Sequence, residues 1–166
     1  MEILVLSSLE KVFSDERPSA EVFKGFSMLK NERSSFQVAF CTDKDEKVNF
    51  ELNGSLAEYS TAYTVREIPV GTAAYKDNTD DFYLRKTSGN YPDCLMPVNG
   101  DFNAQAGKWY SLWIEVIPNG NCIGKSVISV SVNGEKAEVE IEVIDAELPE
   151  QELIYTNWYH SDCICN

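Results

Sequence analysis

The stretch KSVISVSVNGEKAEVEIEVI, residues 125–144, decides the fold class of this chain. Apolar residues alternate with serines before Asn133-Gly134 and with glutamates after it. Alternation with a period of two is typical of a β-strand with one face in a core and the other in water. Asn-Gly tolerates the positive φ angles of a tight turn. The stretch therefore predicts a β-hairpin whose glutamate row is a solvated face rather than a set of catalytic acids.

The same alternation recurs along most of the chain and predicts about eight strands. The other predicted strands are 3–6, 23–29, 36–40, 48–52 before a second Asn-Gly pair at 53–54, 62–70 and 112–116. No segment has a helical period over three turns, and the best candidate, residues 7–13, is short. Many strands separated by turn residues, without alternating helices, predict an all-β fold, a two-sheet antiparallel β-sandwich.

Length and charge limit the organisation and the partners. The 166 residues suffice for one ordinary domain and a short tail. The net charge of −13 would repel phosphate backbones and anionic lipid surfaces. We therefore expect no nucleic-acid partner and no membrane partner.

The amino terminus and the cysteines predict a cytoplasmic location. Glu2 stands where a signal peptide needs basic residues, and the apolar run that follows is too short for a secretory core. The five cysteines form an odd set without paired spacing, which favours reduced thiols in a reducing compartment.

Residues 71–108 interrupt the regular pattern and are predicted to form a long loop. Five aromatic residues lie there among aspartates: Tyr75, Phe82, Tyr83, Tyr91 and Phe102. Aromatic rings beside carboxylates could stack on a sugar and bind its hydroxyls, or the rings could anchor the loop to its own sandwich or to a neighbouring domain. The second interpretation is favoured. Two prolines in the run 91–97, YPDCLMP, suit a loop that is held in one shape.

No catalytic, cofactor or metal constellation assembles from the sequence. The single histidine, His160, has nothing around it to orient it, and with Cys163 and Cys165 it lacks the second ligand pair of a structural zinc site. Residues 77–81 resemble a calcium loop only in composition, because the glycine and the distal glutamate are missing. We expect no cofactor and no metal.

Three segments together resemble the N-terminal part of bacterial proteins related to glycoside hydrolase family 123. These segments are NERSSFQV at 31–38, YPDCLMP at 91–97, and LPEQ at 148–151 leading to TNWYHSD at 156–162. The resemblance implies a β-sandwich over residues 1–147 and, over 148–166, a linker and the first strand of a truncated (β/α)8 barrel. It also implies substrate-pocket candidates, namely Trp158, His160, Asp162, Tyr91 and Asp93.

The resemblance also implies where catalysis takes place. Members of the family act on N-acetylhexosamine glycosides, with an Asp-Glu pair on barrel strands that these residues do not include. We therefore expect this fragment to be inactive alone and the full-length protein to be a glycoside hydrolase. Its partners would be the C-terminal barrel of the same polypeptide and a carbohydrate substrate.

Two hypotheses for the function remain. In the first, the chain is a non-catalytic sandwich that packs on the barrel and lends residues 71–108 to the active-site rim. In the second, it is an autonomous carbohydrate- or protein-binding module. The second is motivated by the loop aromatics and by Trp109 and Trp113, which alternate away from the predicted core face of Leu112.

Overall fold

Two sheets of five strands pack face to face, which confirms the predicted all-β sandwich. The computed structural model describes residues 1–71, 83–98, 101–150 and 152–154, and in these it has ten strands and one 3-10 turn, Ala57–Tyr59. The strands are β1 Glu2–Ser7, β2 Gly25–Lys30, β3 Ser34–Cys41, β4 Glu46–Asn53, β5 Ser60–Val70, β6 Gly89–Pro97, β7 Asp101–Ala104, β8 Trp109–Val116, β9 Gly124–Val132 and β10 Glu135–Glu147. In this part of the chain no helix is long and apolar enough to cross a membrane.

The strand order mixes distant parts of the sequence. The first sheet has the order β1-β3-β8-β5-β6 and the second has β2-β10-β9-β4-β7. The strand pairs are antiparallel, as the sequence predicts, with the exception of β2 and β10, which run parallel. Gly25 permits the close approach there, because a Cβ atom at this position would overlap the carbonyl oxygen of Glu140.

The β9–β10 hairpin forms as the sequence predicts. Ala137 lies opposite Val130 and Val139 opposite Ile128, and the two turn residues, Asn133 and Gly134, have φ angles of 48° and 92°. The second Asn-Gly pair ends β4, but the chain then crosses to the first sheet and does not form a hairpin with β5.

The main core lies between the two sheets and follows the alternation. Its largest fully buried side chains include Phe36, Phe40, Met28, Leu112, Ile114, Ile128 and Ile141. Glu138, Glu140 and Glu142 are exposed on the opposite face of β10. The acidic row is therefore a solvated surface.

Residues 71–108 contain regular structure that the sequence did not predict. β6 pairs with β5 at the edge of the first sheet, and β7 pairs with β4 at the edge of the second. The segment 91–97, predicted as part of a loop, is thus a strand. Proline cannot donate a hydrogen bond to a neighbouring strand and is tolerated on edge strands. Because Pro92 and Pro97 are typical of loops, the sequence of this segment did not indicate a strand.

A second, smaller core covers the outer face of the first sheet. The chain between β1 and β2 lies over this face, where Val12 packs with Leu6, Ala39 and Trp109. Trp109 is only 7% exposed. The expectation that Trp109 is available for a ligand is therefore wrong, because the segment after β1 covers it.

One buried amide fastens the segment after β1. Gln37 is 2% exposed, and its Nε2 donates to the carbonyl oxygens of Ser7, Ser8 and Glu10 at 3.1, 3.3 and 2.9 Å. Its Oε1 accepts a hydrogen bond from Ser111 Oγ at 2.8 Å. Every polar atom of this side chain is thus satisfied, and residues 8–10 are held above the sheet.

A second anchor follows a few residues later. The Arg85 guanidinium lies 3.9 Å from the centroid of the Phe13 ring and bonds both carboxylate oxygens of Asp15, at 3.0 and 2.8 Å. Tyr91 meets Phe13 edge to face, with centroids 5.6 Å apart. The anchor therefore ties the segment after β1 to β6 and to the residues that precede it.

Truncation of a core residue in β10 tests the register. Ile141→Ala removes methyl groups from a fully buried site and is expected to lower the free energy of unfolding by about 2–5 kcal/mol. The exposed neighbour variant Glu138→Ala should stay within about 0.5 kcal/mol of wild type. Equal denaturation midpoints for the two variants would contradict the assignment of faces.

Loss of the Gln37 amide should release residues 8–10. Gln37→Met keeps the side-chain volume but removes the hydrogen-bond donors. Because carbonyl groups are left unpaired, we expect the free energy of unfolding to fall by about 1–3 kcal/mol. Hydrogen exchange of the Leu9 to Val12 amides should become faster, while Gln105→Met, at an exposed position, should change neither quantity. Unaltered exchange in Gln37→Met would show that the amide does not hold the segment.

The pair Arg85–Asp15 should make stability depend on pH in acid. Hydrogen bonding and charge attraction from Arg85 lower the pKa of Asp15 below its ordinary 3.8. The stabilisation is therefore complete above pH 3.8 and is lost as the pH falls through the folded-state pKa. The difference in Tm between wild type and Asp15→Asn should shrink from pH 5 to pH 2. Glu138→Gln controls for the change in net charge, and a constant difference for Asp15→Asn would contradict this linkage.

Candidate functional site

A groove of about 360 Å³ lies on the outer face of the first sheet. The segment after β1 forms one wall, and the strand pair β5–β6 forms the other. Its lining residues come from five parts of the chain: residues 8–12, Gln37 of β3, Val65 of β5, the β6 residues Pro92, Asp93 and Leu95, and Trp113 of β8. A volume above roughly 300 Å³ is in the range of small-molecule sites.

Trp113 contributes an aromatic ring to the groove. It belongs to β8, whose even-numbered neighbours Leu112 and Ile114 are buried in the main core, so its side chain lies on the outer face. Across the sheet it stands opposite Gln37 of β3 and Tyr63 of β5. Trp113 is only partly buried, and part of its ring is accessible in the groove.

A β-bulge places Asp93 at the groove. The register of β5 with β6 shifts between Arg66, opposite Cys94, and Glu67, opposite Pro92, so Asp93 has no partner residue. A bulged residue leaves the regular alternation and its side chain is redirected. Asp93 is exposed, whereas the adjacent Pro92 is buried. The bulge thus brings a carboxylate to the wall of the groove.

The opposite wall carries Leu9, Glu10 and Lys11. Leu9 is 88% exposed, and the two charged residues are exposed as well. Gln37 holds this wall through the carbonyl of Glu10. The groove therefore combines an aromatic ring with apolar side chains, two carboxylates and one ammonium group.

Two further hollows adjoin the groove. One, of about 370 Å³, shares Lys11, Pro92 and Asp93 with it and extends to Arg85 and Tyr91. The other, of about 720 Å³, includes Val12 and Val65 and lies where β5 and β8 diverge. The two strands pair only from Ser60 to Thr64, and β5 then continues with β6 as a two-stranded arm.

The predicted pocket residues separate into two groups. Tyr91 and Asp93 line the same hollow, but they differ in role. The Tyr91 hydroxyl donates to the carbonyl oxygen of Thr87 at 2.5 Å and lies 3.1 Å from the carbonyl oxygen of Arg85, so this side chain anchors its own chain. Trp158, His160 and Asp162 lie outside the described residues.

Sequence reasoning missed most of the groove. Glu10, Lys11 and Val65 carry no motif, and they meet because the segment after β1 lies over the outer face of the sheet that contains β5 and β6. Two residues of the groove were named from the sequence: Asp93 through the family resemblance, and Trp113 because it alternates away from the predicted core face.

The described residues show binding chemistry more clearly than catalytic chemistry. Among them no group of three or more His, Cys, Asp or Glu residues is placed to hold a metal ion. Desolvation raises the pKa of the Cys41 thiol, so this cysteine is a poor nucleophile at neutral pH.

Comparison with known proteins shows the fold but not a family. No family model matches the chain, and no curated protein matches it. A family 123 glycoside hydrolase from Clostridium perfringens, described for glycolipid glycan hydrolysis, is similar in structure with a TM-score of 0.64 and 13% identity. The likeness covers 89% of this chain and 28% of the hydrolase chain.

Two other solved structures have lower scores. The N-terminal domain of PorA has a TM-score of 0.35 at 6% identity, covering 87% of this chain and 99% of that one. The class 5 fimbriae chaperone CfaA has a TM-score of 0.28 at 10% identity, covering 74% and 54%. The fold is therefore that of a β-sandwich which also occurs within a much longer glycoside hydrolase.

Proposed function

We propose that this chain is the non-catalytic β-sandwich of a glycoside hydrolase that acts on N-acetylhexosamine glycosides. The observation that carries the proposal is the structural likeness over 89% of the chain to a family 123 hydrolase of which the chain spans 28%. The three sequence motifs, in the order expected for such proteins, support it independently.

The β5–β6 arm supports a role at the rim of a neighbouring domain. Among the residues that the structure describes, no third strand pairs with the arm beyond Thr64, from the pair Val65 and Leu95 to the pair Val70 and Gly89. Ile68 is 39% exposed, and Leu84, in the connection between the strands, is 77% exposed. Ile68 and Leu84 line the same hollow, and exposed apolar side chains that lie close together are typical of a surface that packs against a partner. In this proposal the partner is the barrel of the same polypeptide.

Activity measurements on two lengths of polypeptide test the proposal. The longest open reading frame that contains this sequence and the 166-residue chain are purified in parallel and assayed with nitrophenyl N-acetyl-β-hexosaminides. We expect hydrolysis by the longer protein and none by the chain alone. A folded longer protein without activity on these substrates, or hydrolysis by the chain alone, would refute the proposal.

Substitutions on the arm test its contact with the barrel. Ile68→Glu and Leu84→Glu should lower kcat/KM of the longer protein, while the denaturation midpoint of the isolated sandwich stays unchanged because both side chains are exposed. Val127→Glu is the matched control, since Val127 is 46% exposed on the second sheet. Equal activity of all three variants would argue against the arm as a rim element.

A further inference from the structure

We propose that the groove over Trp113 is a binding site for a neutral oligosaccharide. This goes beyond the accessory role proposed above and does not depend on it, because the residues that line the groove belong to the sandwich itself. The groove is formed by Trp113 and Val65 between the wall at Leu9 to Lys11 and the wall at Asp93 and Leu95.

The shape and the aromatic ring favour a sugar. A pyranose presents an apolar face of C–H groups and an edge of hydroxyls, so it needs a ring to stack on and polar groups beside that ring. Trp113 provides an accessible ring, and Tyr63 stands next to it in the cross-strand row, also partly buried. The volume of about 360 Å³ is at the lower end of the range for ligand sites.

The polar groups of the groove favour hydroxyl ligands. Asp93 and Glu10 supply carboxylate acceptors on opposite walls, and Lys11 supplies a donor. Carboxylates accept hydrogen bonds from sugar hydroxyls, and such charge-assisted bonds are stronger than neutral ones. The Gln37 amide is not available to bind the ligand, because its N–H groups already donate to carbonyl oxygens of the protein.

The electrostatic balance favours a neutral sugar over an acidic one. Two carboxylates and one ammonium group give the rim of the groove a net negative charge, and the whole chain has a net charge of −13. Uronic and sialic acids would therefore be repelled.

The groove also has the rigidity that a binding site needs. Trp113 belongs to β8, which pairs with β3 on one side and β5 on the other. Gln37 holds one wall, and the pairing of β6 with β5 holds the other. The backbone of both walls is therefore in place before a ligand binds, which favours affinity.

Titration of the 166-residue chain by NMR tests the site. Cellotriose, chitotriose and xylotriose are the neutral probes, and sialyllactose is the acidic probe. The chain has three tryptophans, and Trp113→Phe identifies the indole N–H signal of Trp113 by its loss. We expect at least one neutral probe to shift this signal saturably and sialyllactose to leave it unchanged.

Variants assign the binding to the groove. Trp113→Ala should weaken the binding of that probe by about ten-fold or more, because the stacking surface is lost. Asp93→Asn, at an exposed bulge, should weaken it by about three-fold, because a charged acceptor becomes a neutral one. Ile123→Ala and Glu138→Gln are matched controls at exposed positions outside the groove and should bind as wild type does.

Two outcomes would overturn the proposal. One is binding that persists unchanged in both Trp113→Ala and Asp93→Asn. The other is that no neutral probe shifts the indole N–H signal of Trp113. If that N–H is in addition protected from solvent in the longer protein, the groove is a surface for domain packing. A hydrolase that is inactive would not affect either result, so this test is separate from the test of the proposed function.

Discussion

The hydrogen bonds of the Gln37 side chain are the interaction on which the outer face of this sandwich depends. A glutamine in the middle of a central strand would be costly if its amide were unpaired. Here the amide joins the carbonyl groups of Ser7, at the end of β1, and of Ser8 and Glu10, in the segment after it, to the hydroxyl of Ser111. The same bonds keep Val12 over Trp109 and keep Glu10 at the wall of the groove. One buried polar side chain thus closes a second core and shapes a candidate binding surface.

The first sheet has a rigid part and a divergent part. Near β3 and β8 it is fully paired and contributes Phe36, Phe40 and Leu112 to the main core. Beyond Thr64 the strand β5 leaves β8 and continues only with β6. The groove and both adjoining hollows lie along this divergence. An element with few neighbours and exposed apolar side chains on a stable scaffold is suited to contacts with a ligand or another domain.

The two proposals use different parts of this surface. The arm with Ile68 and Leu84 is assigned to contact with a barrel, and the groove over Trp113 to a sugar. The likeness to a family 123 hydrolase concerns the arrangement of the strands, at 13% identity, and supports only the first proposal. The second depends on the aromatic ring of Trp113, on the carboxylate of Asp93 at the β-bulge, and on the net negative charge of the groove rim. A sandwich with both features would hold a carbohydrate near a catalytic domain.

The sequence by itself determined the strands with regular alternation, the β9–β10 turn and the solvated glutamate face, because those features depend on neighbouring residues and on period-two geometry. It did not reveal β6 or the four-residue β7. For β6 the reason is that Pro92 and Pro97 are compatible with a strand at a sheet edge, and an edge is a property of the assembled sheet. The alternation along β8 identified Trp113 as an outward-facing residue, but it assigned Trp109 to the same face and could not show which of the two is covered. Only the tertiary structure decided that Trp109 is covered, that β2 runs parallel to β10, and that Asp93 and Trp113 line the same groove. Each of these depends on contacts between residues far apart in sequence, where alternation carries no information about which segments pair.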